Sequence, residues 1–427
     1  MGFYSFGLDE TDKLVGACLK NELIRQASVL NMIASENLVS GAVLQASASV
    51  LTNKYAEGYP GRRYYAGCAF ADEVEALAID RAKALFGCSF ANVQPHSGSQ
   101  MNQAVLLALL KPGDVIMGMS LKCGGHLTHG SAVNLSGIWF RAVAYGVDPI
   151  TGLVDMNSVL DLAIRNRPKL IIAGSTSYPR ALNWELFKQV SDLVGAYLMA
   201  DISHVAGLVA AGLYASPLRF CHVVTFTTHK SLRGPRGGVI VTNDGAVARK
   251  LSSAVFPGLQ GGPMMHTIAA KAVALLEASA PSFRAWAQRV VTNARALSSA
   301  FESRGFKLVT GGTDTHVVLL DLRGRGLTGA DAEAKLERCL VASNKNVLPF
   351  DALPSVVASG LRLGTCSLTT RGMGELEMVD VCDVVSDVLC SSSRDWLDGH
   401  VMAGAKRRVL QLADAFPVLY KSVSVSC

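Results

Sequence analysis

Short apolar runs alternate with longer stretches of helical periodicity along most of the chain. The runs DVIMGM, KLIIAG, AYLMAD, HVVTFT and GGVIVTN, which begin at positions 114, 169, 196, 222 and 237, have the length of buried strands. Before them, the segment DEVEALAIDRAKALF carries apolar residues at helical spacing and stops at Gly87, a typical C-terminal cap. Short buried strands alternating with helices predict an α/β layer with a mainly parallel sheet.

The pattern changes near residue 280, where a long amphipathic helix follows the sequence SAPSF. Two apolar strands, KLVTG and HVVLLDLR, and the helical stretch TGADAEAKLERCL come after it. A chain of 427 residues is longer than one hydrophobic core usually supports. We therefore predict an N-terminal helical arm over 1–50, a large domain over 51–280 and a smaller α+β domain over 281–427.

Composition narrows the classes of function. Half of the residues are apolar and only 17% are charged, which is typical of a folded globular protein. The formal charge is +6, but the 40 basic and 34 acidic residues are interspersed, so we expect no nucleic-acid partner. Single arginines and lysines can instead bind the phosphates and carboxylates of small molecules.

Ten cysteines are scattered without a CxxC pair, and no secretory signal precedes them. Reduced thiols and a cytoplasmic location fit this pattern best, and we expect no metal site. The start, MGFYSFGLDETDKL, lacks the basic and apolar regions of a signal peptide. No later stretch reaches the roughly 18 apolar residues of a membrane span, so we predict no membrane association.

Two hydroxyl-bearing residues, Ser97 and Ser99, stand just before QMNQAVLLALL, which reads as the start of a helix. Hydroxyls and free N–H groups at a helix N-terminus attract anions. Ordinary N-capping by either serine explains the same pattern. The turn is therefore a candidate anion site whose function depends on its neighbours.

A carboxylate and an imidazole, Asp201 and His204, follow the apolar strand AYLMA. Ligands of α/β proteins bind at the carboxyl edge of the sheet, where a carboxylate can keep a pyridinium nitrogen protonated. The alternative is a helix-capping aspartate beside a packed histidine. The pair becomes informative only with further residues at the same edge.

Lys230 gives the strongest local signal. It follows the strand end TFTTH and precedes a Gly-rich loop that carries Arg233 and Arg236. A lysine in this setting can form a Schiff base with a carbonyl cofactor, although an exposed loop lysine is the default interpretation. Asp201 also follows a strand, so one crossover can bring both residues to the same sheet edge.

Two more residues, His126 and Arg362, are candidate ligand contacts if they lie near Lys230 and Asp201. His126 lies in GGHLTHG, where glycines let a ring approach a flat ligand closely, and a satisfied loop histidine is the alternative. Arg362, in SGLRLGT, offers a planar fork that suits a substrate carboxylate, although a surface arginine is the usual case.

Together these stretches resemble serine hydroxymethyltransferase from about Ile33 to about Phe416. Eight signatures occur in order: IASEN (33–37), LTNKYAEGYPGRRYYAG (51–67), ANVQPHSGSQ (91–100), GGHLTHGS (124–131), HVAGLVAAG (204–212), TTHKSLRGPRGG (227–238), FPGLQGGPMMH (256–266) and NKNVLP (344–349). The resemblance implies a fold-type I pyridoxal-phosphate transferase with a mostly parallel seven-stranded sheet in its large domain and a smaller α+β C-terminal domain. It also implies a homodimer with shared active sites.

The implied reaction is the reversible conversion of L-serine and tetrahydrofolate to glycine and 5,10-methylenetetrahydrofolate. By the same resemblance, Lys230 carries pyridoxal 5'-phosphate covalently, Asp201 pairs with its ring nitrogen, His126 stacks on the ring and His204 lies beneath it. The other positions that the resemblance assigns to the cofactor are Ser97, Gly98, Ser99, Thr176 and His229, with Tyr55 and Gly262 contributed by a partner subunit.

The resemblance also assigns the two substrates. Ser35, Tyr65 and Arg362 would bind the amino-acid carboxylate, while Thr227 and Arg236 would tune the covalent bond to the cofactor and its surroundings. Glu57 matches the family's acid–base carboxylate. Tetrahydrofolate, the co-substrate, would contact Glu57, Leu121, Gly125, Leu127 and Asn346.

Three stretches depart from the family pattern: Lys122-Cys123 before GGHLTHG, PSVVASG over 354–360, and Thr176-Ser177-Tyr178, which keeps a hydroxyl and should have little effect. The first two lie where the folate is expected, so folate affinity is the property they affect. Three other functions remain open at this point. One is a folate-independent aldolase of the threonine aldolase type that uses the same Lys230, Asp201 and His126; the others are a basic RNA-binding module and a cofactor-free descendant.

Overall fold

The computed structural model of the protein describes residues 7–391, 399–418 and 420. Its strands are β1 Leu30–Asn31, β2 Gly58–Tyr59, β3 Arg62–Arg63, β4 Phe90–Asn92, β5 Val115–Met119, β6 Arg141–Tyr145, β7 Leu170–Gly174, β8 Tyr197–Asp201, β9 Val223–Thr227, β10 Gly238–Thr242, β11 Lys307–Leu308, β12 Val317–Asp321, β13 Val341–Ala342, β14 Asn344–Asn346 and β15 Gly360–Gly364.

Its α-helices are α1 Leu8–Thr11, α2 Lys13–Ser28, α3 Gly41–Ser47, α4 Ala69–Phe86, α5 Gly98–Leu109, α6 Leu135–Trp139, α7 Met156–Asn166, α8 Trp184–Val194, α9 Ala206–Ala210, α10 Gly245–Ser253, α11 Met265–Ala278, α12 Pro281–Ser303, α13 Gly329–Arg338, α14 Cys366–Thr370, α15 Glu375–Cys390 and α16 His400–Ala415. The predicted helix before Gly87 is confirmed as α4, which begins at Ala69 and ends where Gly87 adopts φ 68°.

The large sheet has seven strands in the order β4-β10-β9-β8-β7-β5-β6. Strand β10 runs antiparallel to both β4 and β9, and the other neighbouring pairs are parallel. Every residue of β7, β9 and β10 is buried, as helices on both faces of a parallel sheet require. All five strands predicted from apolar runs are confirmed, and so is the fold class.

Strands β4 and β6 were not predicted. Strand β4 has only three residues, and β6 lies at the edge of the sheet with three of its five residues exposed. Such short or half-exposed strands leave no continuous apolar run, which is the signal that identified their neighbours.

A second sheet, β11-β12-β15-β14, is antiparallel and lies in the C-terminal part of the chain. Helix α12 joins the two cores, since Phe283 and Val290 pack with the large sheet while Leu297 and Phe301 pack with the second one. Strand β1 pairs with β13, so the N-terminal arm also contacts the C-terminal part. The domain boundaries at 50 and 280 stay predictions.

The carboxyl ends of β5, β7, β8 and β9 meet at one edge of the large sheet because these strands are parallel neighbours. The segments that follow them include His126, Thr176, His204 and Lys230. The sheet order therefore brings together side chains separated by more than a hundred positions. Of the described helices, none has the length and apolar character that a membrane crossing requires. Cys427 lies outside the described residues.

Candidate active site

A cavity of about 470 Å³ opens at this edge of the sheet. It is lined by Ser35, Ser97, Gly98, Ser99, Met101, Asn102, Leu121, Gly125, His126, Leu127, Ser175, Thr176, Asp201, Ser203, His204, Thr227, His229, Lys230, Arg236 and Arg362. Most of the site residues predicted from the sequence are in this set. Its size is in the usual range for small-molecule and cofactor sites.

A larger cavity, of about 720 Å³, opens beside Tyr59 and Phe256. The described residues that line it include neither a carboxylate nor a histidine. General acid–base and Schiff-base chemistry need such groups beside an amine. The smaller cavity is therefore the candidate active site.

Asp201, the last residue of β8, is held by four hydrogen bonds in which it is the acceptor. Its Oδ2 accepts from Asn102 Nδ2 at 2.8 Å and from His129 Nε2 at 3.0 Å. Its Oδ1 accepts from the backbone N–H of Ser203 at 3.1 Å and from the Ser203 hydroxyl at 2.6 Å. Burial acts to raise the pKa of Asp201, but the bond from His129, nearby positive charge and the bond from Ser203 outweigh it and place the pKa well below its usual value.

The bonds around Asp201 also assign protons to two histidines. The Nδ1 of His129 accepts from the backbone N–H of His126 at 3.2 Å, so its proton is on Nε2, the atom that faces Asp201. The backbone N–H of Thr128 donates to His126 Nδ1 at 3.2 Å, so this nitrogen carries no proton and also accepts from Thr128 Oγ1, 2.7 Å away. Thr128 Oγ1 in turn accepts from Asn102 Nδ2 at 2.8 Å. His126 is a neutral ring with its proton on Nε2. Burial lowers the pKa of His126 to about 4, which agrees with this assignment.

Lys230 follows β9 and is buried with its amine facing the cavity. Its backbone carbonyl accepts from Asn37 Nδ2 at 3.1 Å, which ties the lysine loop to the N-terminal part of the chain. Burial lowers the pKa of the amine to about 8, with Asp201 acting against this and Arg362 and Arg236 adding to it. Near neutral pH a much larger share of the amine is therefore unprotonated and nucleophilic than in an ordinary exposed lysine.

Ser97 caps α5, and its Oγ accepts from the backbone N–H of Gln100 at 3.2 Å. The capping interpretation is confirmed, and it does not exclude the anion site, because Gly98 and Ser99 line the cavity and their N–H groups, in the first turn of α5, have no acceptor within the helix. Gly98 packs tightly, since a Cβ added to it would lie 2.6 Å from Thr227 Cγ2. The turn over Ser97, Gly98 and Ser99 thus forms a narrow cradle suited to an anion.

Arg362, in the middle of β15, reaches the cavity from the second sheet. Its Nη1 donates to the Thr176 carbonyl at 2.9 Å, and its Nε donates to Asn344 Oδ1 at 3.0 Å. Burial lowers the pKa of Arg362 to about 10, so the guanidinium is still charged at neutral pH. Arg362 offers a positive charge and Ser35 a hydroxyl on the wall of the cavity, a pair of groups that suits a carboxylate.

His204 stacks on His316, with ring centres 5.5 Å apart and planes 11° from parallel. His316 Nε2 lies 3.0 Å from the Ala34 carbonyl and 3.4 Å from His204 Nδ1. Burial lowers the pKa of His204 well below its usual value and that of His316 to about 4, so both rings are neutral at physiological pH. Burial likewise lowers the pKa of His229 to about 3.

Five predicted residues do not line this cavity, although all of them lie in the described part of the chain: Tyr55, Glu57, Tyr65, Gly262 and Asn346. Four of them form a cluster of their own. The Tyr55 and Tyr65 rings are 4.8 Å apart, and a Cβ on Gly262 would touch the Tyr55 ring at 3.1 Å. Asn346 Oδ1 accepts from Ser177 Oγ at 2.7 Å, next to the cavity wall.

Four residues with a clear place in the site were not predicted: Asn102, Thr128, His129 and His316. His129 and Thr128 belong to the quoted GGHLTHG motif, but the motif alone did not indicate that they form hydrogen bonds with Asp201 and His126. Asn102 lies one turn into α5, and His316 begins the buried stretch before β12. The contacts that join them to one another, to Asp201 and to His204 span 26 to 112 positions, so no local pattern predicts these contacts.

The cavity residues fit pyridoxal 5'-phosphate. A buried amine, an ionised carboxylate, a neutral imidazole and an anion cradle surround a single space of suitable size. His229, whose Nδ1 is buried without a hydrogen-bond partner among the described residues, lines the same space. Each functional group of the cofactor, namely its aldehyde, ring nitrogen, ring face and phosphate, thus finds a matching side chain or turn.

Comparison with known proteins gives a consistent result. A model of the serine hydroxymethyltransferase family matches residues 8–385. The serine hydroxymethyltransferase of Zymomonas mobilis subsp. mobilis is 55% identical over 418 residues, which cover 97% of this chain and 97% of that protein. The enzyme of the same name from Rhodopseudomonas palustris is also 55% identical over 418 residues, covering 97% and 96%. That from Rickettsia canadensis is 52% identical over 419 residues, covering 98% and 99%.

Proposed function

The chain belongs to the serine hydroxymethyltransferase family, and from this premise we infer its function and propose roles for its site residues. It is a pyridoxal-phosphate-dependent glycine hydroxymethyltransferase that interconverts L-serine plus tetrahydrofolate and glycine plus 5,10-methylenetetrahydrofolate. The observation that carries this function is the joint presence of Lys230, Asp201 and His126 around one cavity in a chain that matches the family over nearly its full length. The folate-independent aldolase is not favoured.

When bound, the cofactor supplies an aldehyde that captures amines and a pyridinium ring that withdraws electrons from the amino-acid carbon. We propose that Lys230 is the residue that holds it covalently. The lowered pKa of the amine, about 8, supports this role because only the free amine is nucleophilic. Asp201 would keep the ring nitrogen protonated, which its four hydrogen-bond donors support by stabilising the charged carboxylate.

The phosphate would bind at the turn over 97–99, where the N-terminus of α5 adds a favourable dipole. His126, neutral and flanked by glycines, would stack on the cofactor ring, and His204 would lie on the other side. The substrate carboxylate would bind Arg362 and Ser35, since this guanidinium is charged and held in place by two hydrogen bonds. Thr227 and Arg236 would adjust the charge beside Lys230.

Folate would bind near Leu121, Gly125 and Leu127, which line the cavity. Leu121 and Leu127 are 48% and 43% exposed, so a flat aromatic ligand could cover both. Asn346 would contribute from its position beside Ser177. Lys122-Cys123 directly follows Leu121, which supports an effect of this departure on folate affinity.

We propose that a second copy of the chain completes the site. Tyr55, Glu57, Tyr65 and Gly262 pack together away from the cavity of their own chain, although their expected roles require contact with cofactor and substrates. The arm offers an apolar face, because Val15, Leu19 and Leu23 of helix α2, spaced four residues apart on one side of the helix, are 45%, 57% and 45% exposed. A twofold homodimer would bury this face and bring the cluster to the partner's cavity.

We also propose a cytoplasmic location. The nine cysteines that the structure describes are all free, which suits a reducing compartment. Cys123, beside the expected folate site, and the other thiols have no assigned role.

The function is tested with purified protein by visible spectroscopy before and after borohydride reduction. The wild-type protein should contain a reducible adduct, and peptide mapping should place it on Lys230. Lys230→Ala should lose the adduct together with serine cleavage. Serine cleavage should depend on tetrahydrofolate, and rapid threonine cleavage without any folate requirement for serine would instead indicate the aldolase.

A further inference from the structure

A second lysine, Lys271 in α11, is buried behind the candidate active site but does not line its cavity. Its side chain is 1% exposed. The Nζ atom donates to three backbone carbonyls, those of Val93 at 2.6 Å, Pro95 at 3.0 Å and Gly238 at 2.9 Å. No ion pair within 4 Å is found for this amine among the described residues, so it is held by neutral acceptors alone.

The three acceptors indicate that Lys271 carries a charge. An ammonium group has three N–H donors, whereas a neutral amine has two and would leave one of these buried carbonyls unpaired. Burial lowers the pKa of Lys271 to about 7, and the charge of Glu75 acts in the opposite direction. Glu75 itself pairs with Arg63 at 2.6 Å, so its charge is largely compensated. A cation without its own counter-ion thus lies inside the large domain.

The carbonyls that bind the Lys271 amine lie in chain segments that contact the anion cradle, the turn over 97–99. Val93 and Pro95 belong to the segment that enters the turn at Ser97, and the Pro95 carbonyl also accepts from the backbone N–H of Gly238 at 3.0 Å. Gly238 also packs directly against the turn over 97–99, since a Cβ added to Gly238 would lie 2.7 Å from the Ser97 carbonyl oxygen. Lys271 therefore binds both chain segments that pack against the cradle, namely the segment before Ser97 and the start of β10 at Gly238.

The fit around the lysine is close. A Cβ on Gly237 would lie 2.3 Å from Lys271 Cε. On the other side of the entering segment, Gln260 accepts from the backbone N–H of His96 at 3.1 Å and donates to the Gln94 carbonyl at 3.0 Å. Two side chains from elsewhere in the chain, Lys271 and Gln260, thus bind the backbone of the segment before Ser97, and of these two only Lys271 is charged.

We propose that Lys271 is a positioning residue for the turn over 97–99 and that its buried charge favours a dianionic phosphate there. The proposal rests on the proposed function, which assigns the cofactor phosphate to this turn. A charge inside a protein is weakly screened, so a cation behind the cradle attracts a phosphate more strongly than a solvent-exposed lysine would. The carbonyl cage keeps the ammonium from moving toward the phosphate, so the interaction acts through the turn.

The test compares two ligands that differ only in the phosphate. Apoprotein is titrated with pyridoxal 5'-phosphate and with pyridoxal, and the dissociation constants are measured by absorbance. Lys271→Met should raise the dissociation constant for pyridoxal 5'-phosphate about tenfold, which corresponds to about 1.4 kcal/mol, and change that for pyridoxal less than twofold. A general loss of stability would weaken both ligands equally, and that result would overturn the proposal.

A second variant separates charge from hydrogen bonding and replaces the first if Lys271→Met does not fold. Lys271→Gln keeps two N–H donors without a charge and should lose the same preference for the phosphorylated ligand. A Lys271→Gln protein with the wild-type preference would contradict the role of the charge. The matched control is Lys335→Met, because Lys335 is also buried and donates to a backbone carbonyl, that of Ser391, in the second core. It should leave both constants unchanged.

The outcomes distinguish this inference from the proposed function. A wild-type protein that binds neither ligand would defeat the proposed function, whatever Lys271 does. A wild-type protein that strongly prefers the phosphorylated ligand, with Lys271→Met and Lys271→Gln retaining that preference, would leave the function intact and overturn the role of Lys271.

Discussion

Hydrogen bonds around Asp201 have defined directions, and these directions set two charges in the site. All four contacts to its carboxylate come from donors, which is the arrangement that favours the ionised form. The backbone N–H and the hydroxyl of Thr128 both donate to His126 Nδ1, which leaves this nitrogen unprotonated and keeps the imidazole neutral. The site therefore offers an acid that stays charged and a ring that stays neutral through the physiological pH range.

At the residue scale we predict how cofactor capture depends on pH. With a pKa of about 8, about 9% of the Lys230 amine is unprotonated at pH 7, against about 0.03% for an ordinary lysine. The folded pKa is depressed, so the reactive fraction grows as pH rises and levels off above about pH 9. The rate of adduct formation between apoprotein and pyridoxal 5'-phosphate should follow this curve in stopped-flow absorbance.

The control for this prediction is the amine of a blocked lysine in solution, whose rate should keep rising to beyond pH 10. Arg236→Gln removes a positive charge that lowers the pKa of Lys230, so the midpoint should move to higher pH. A wild-type midpoint near pH 10.5 would contradict the prediction, because the buried amine would then behave like an exposed one.

Sequence reasoning found the residues that we propose to carry the reaction more readily than the residues that contact and orient them. Lys230 and Asp201 follow strands at the sheet edge, so strand pattern and residue type together identified them. Asn102 contacts Asp201 across 99 positions, and His129 contacts it across 72. Such contacts exist only in the folded chain, and neither residue differs locally from an ordinary polar residue in a helix or loop.

At the scale of elements, the cradle depends on how closely α5 approaches β9. Helix α5 begins at Gly98, and this glycine lies against Thr227, the last residue of β9. An ordinary carbon–carbon contact is about 3.5–4 Å, so a side chain at this position cannot fit without moving the turn. The helix start and the strand end must therefore keep their spacing for the anion cradle to form.

We predict that Gly98→Ala weakens cofactor binding. The added Cβ would lie 2.6 Å from Thr227 Cγ2, so the turn over 97–99 must shift. Its N–H groups would then form weaker hydrogen bonds with the phosphate. The dissociation constant for pyridoxal 5'-phosphate, measured by titration of apoprotein, should rise about tenfold.

Two further variants test this explanation. Thr227→Ser removes Cγ2 and keeps the hydroxyl, so in the Gly98→Ala background it should restore most of the affinity. Gly41→Ala is the control, because nothing lies within 4 Å of a Cβ at the start of α3. If Gly98→Ala bound the cofactor as the wild type does, the close approach would have no bearing on the cradle.

At the scale of the whole molecule, two cores share one long helix and one cavity. Helix α12 contributes to both cores, and Arg362 reaches from the second sheet to the carbonyl of Thr176, which follows β7 of the large sheet. The cluster of Tyr55, Glu57, Tyr65 and Gly262 remains outside the cavity of its own chain. This separation is the structural basis for expecting a partner subunit.

Mixed dimers test whether the sites are shared. Lys230→Ala and Glu57→Gln chains should each be inactive as pure dimers, because each removes a group needed at every site. After unfolding and refolding of an equal mixture, about half of the dimers contain one chain of each kind, and one of their two sites is intact. Activity should therefore return to about a quarter of the wild-type value.

Mixing without refolding should restore little activity if the dimer exchanges slowly, and this serves as the control. Refolded mixtures with no more activity than the separate variants would contradict a site shared between chains. They would instead indicate that the loop with Glu57 moves to the cavity of its own chain.

By itself, the sequence determined the α/β class and five strands of the large sheet, and it singled out Lys230, Asp201 and His126 as candidate site residues, because apolar periodicity and short motifs are local signals. Only the tertiary structure decided the proton positions around Asp201, the stacking of His204 on His316 and the surroundings of Lys271. The carbonyls that hold Lys271 are 178, 176 and 33 positions away along the chain. Their meeting depends on strand order and helix packing, which no local stretch of residues encodes.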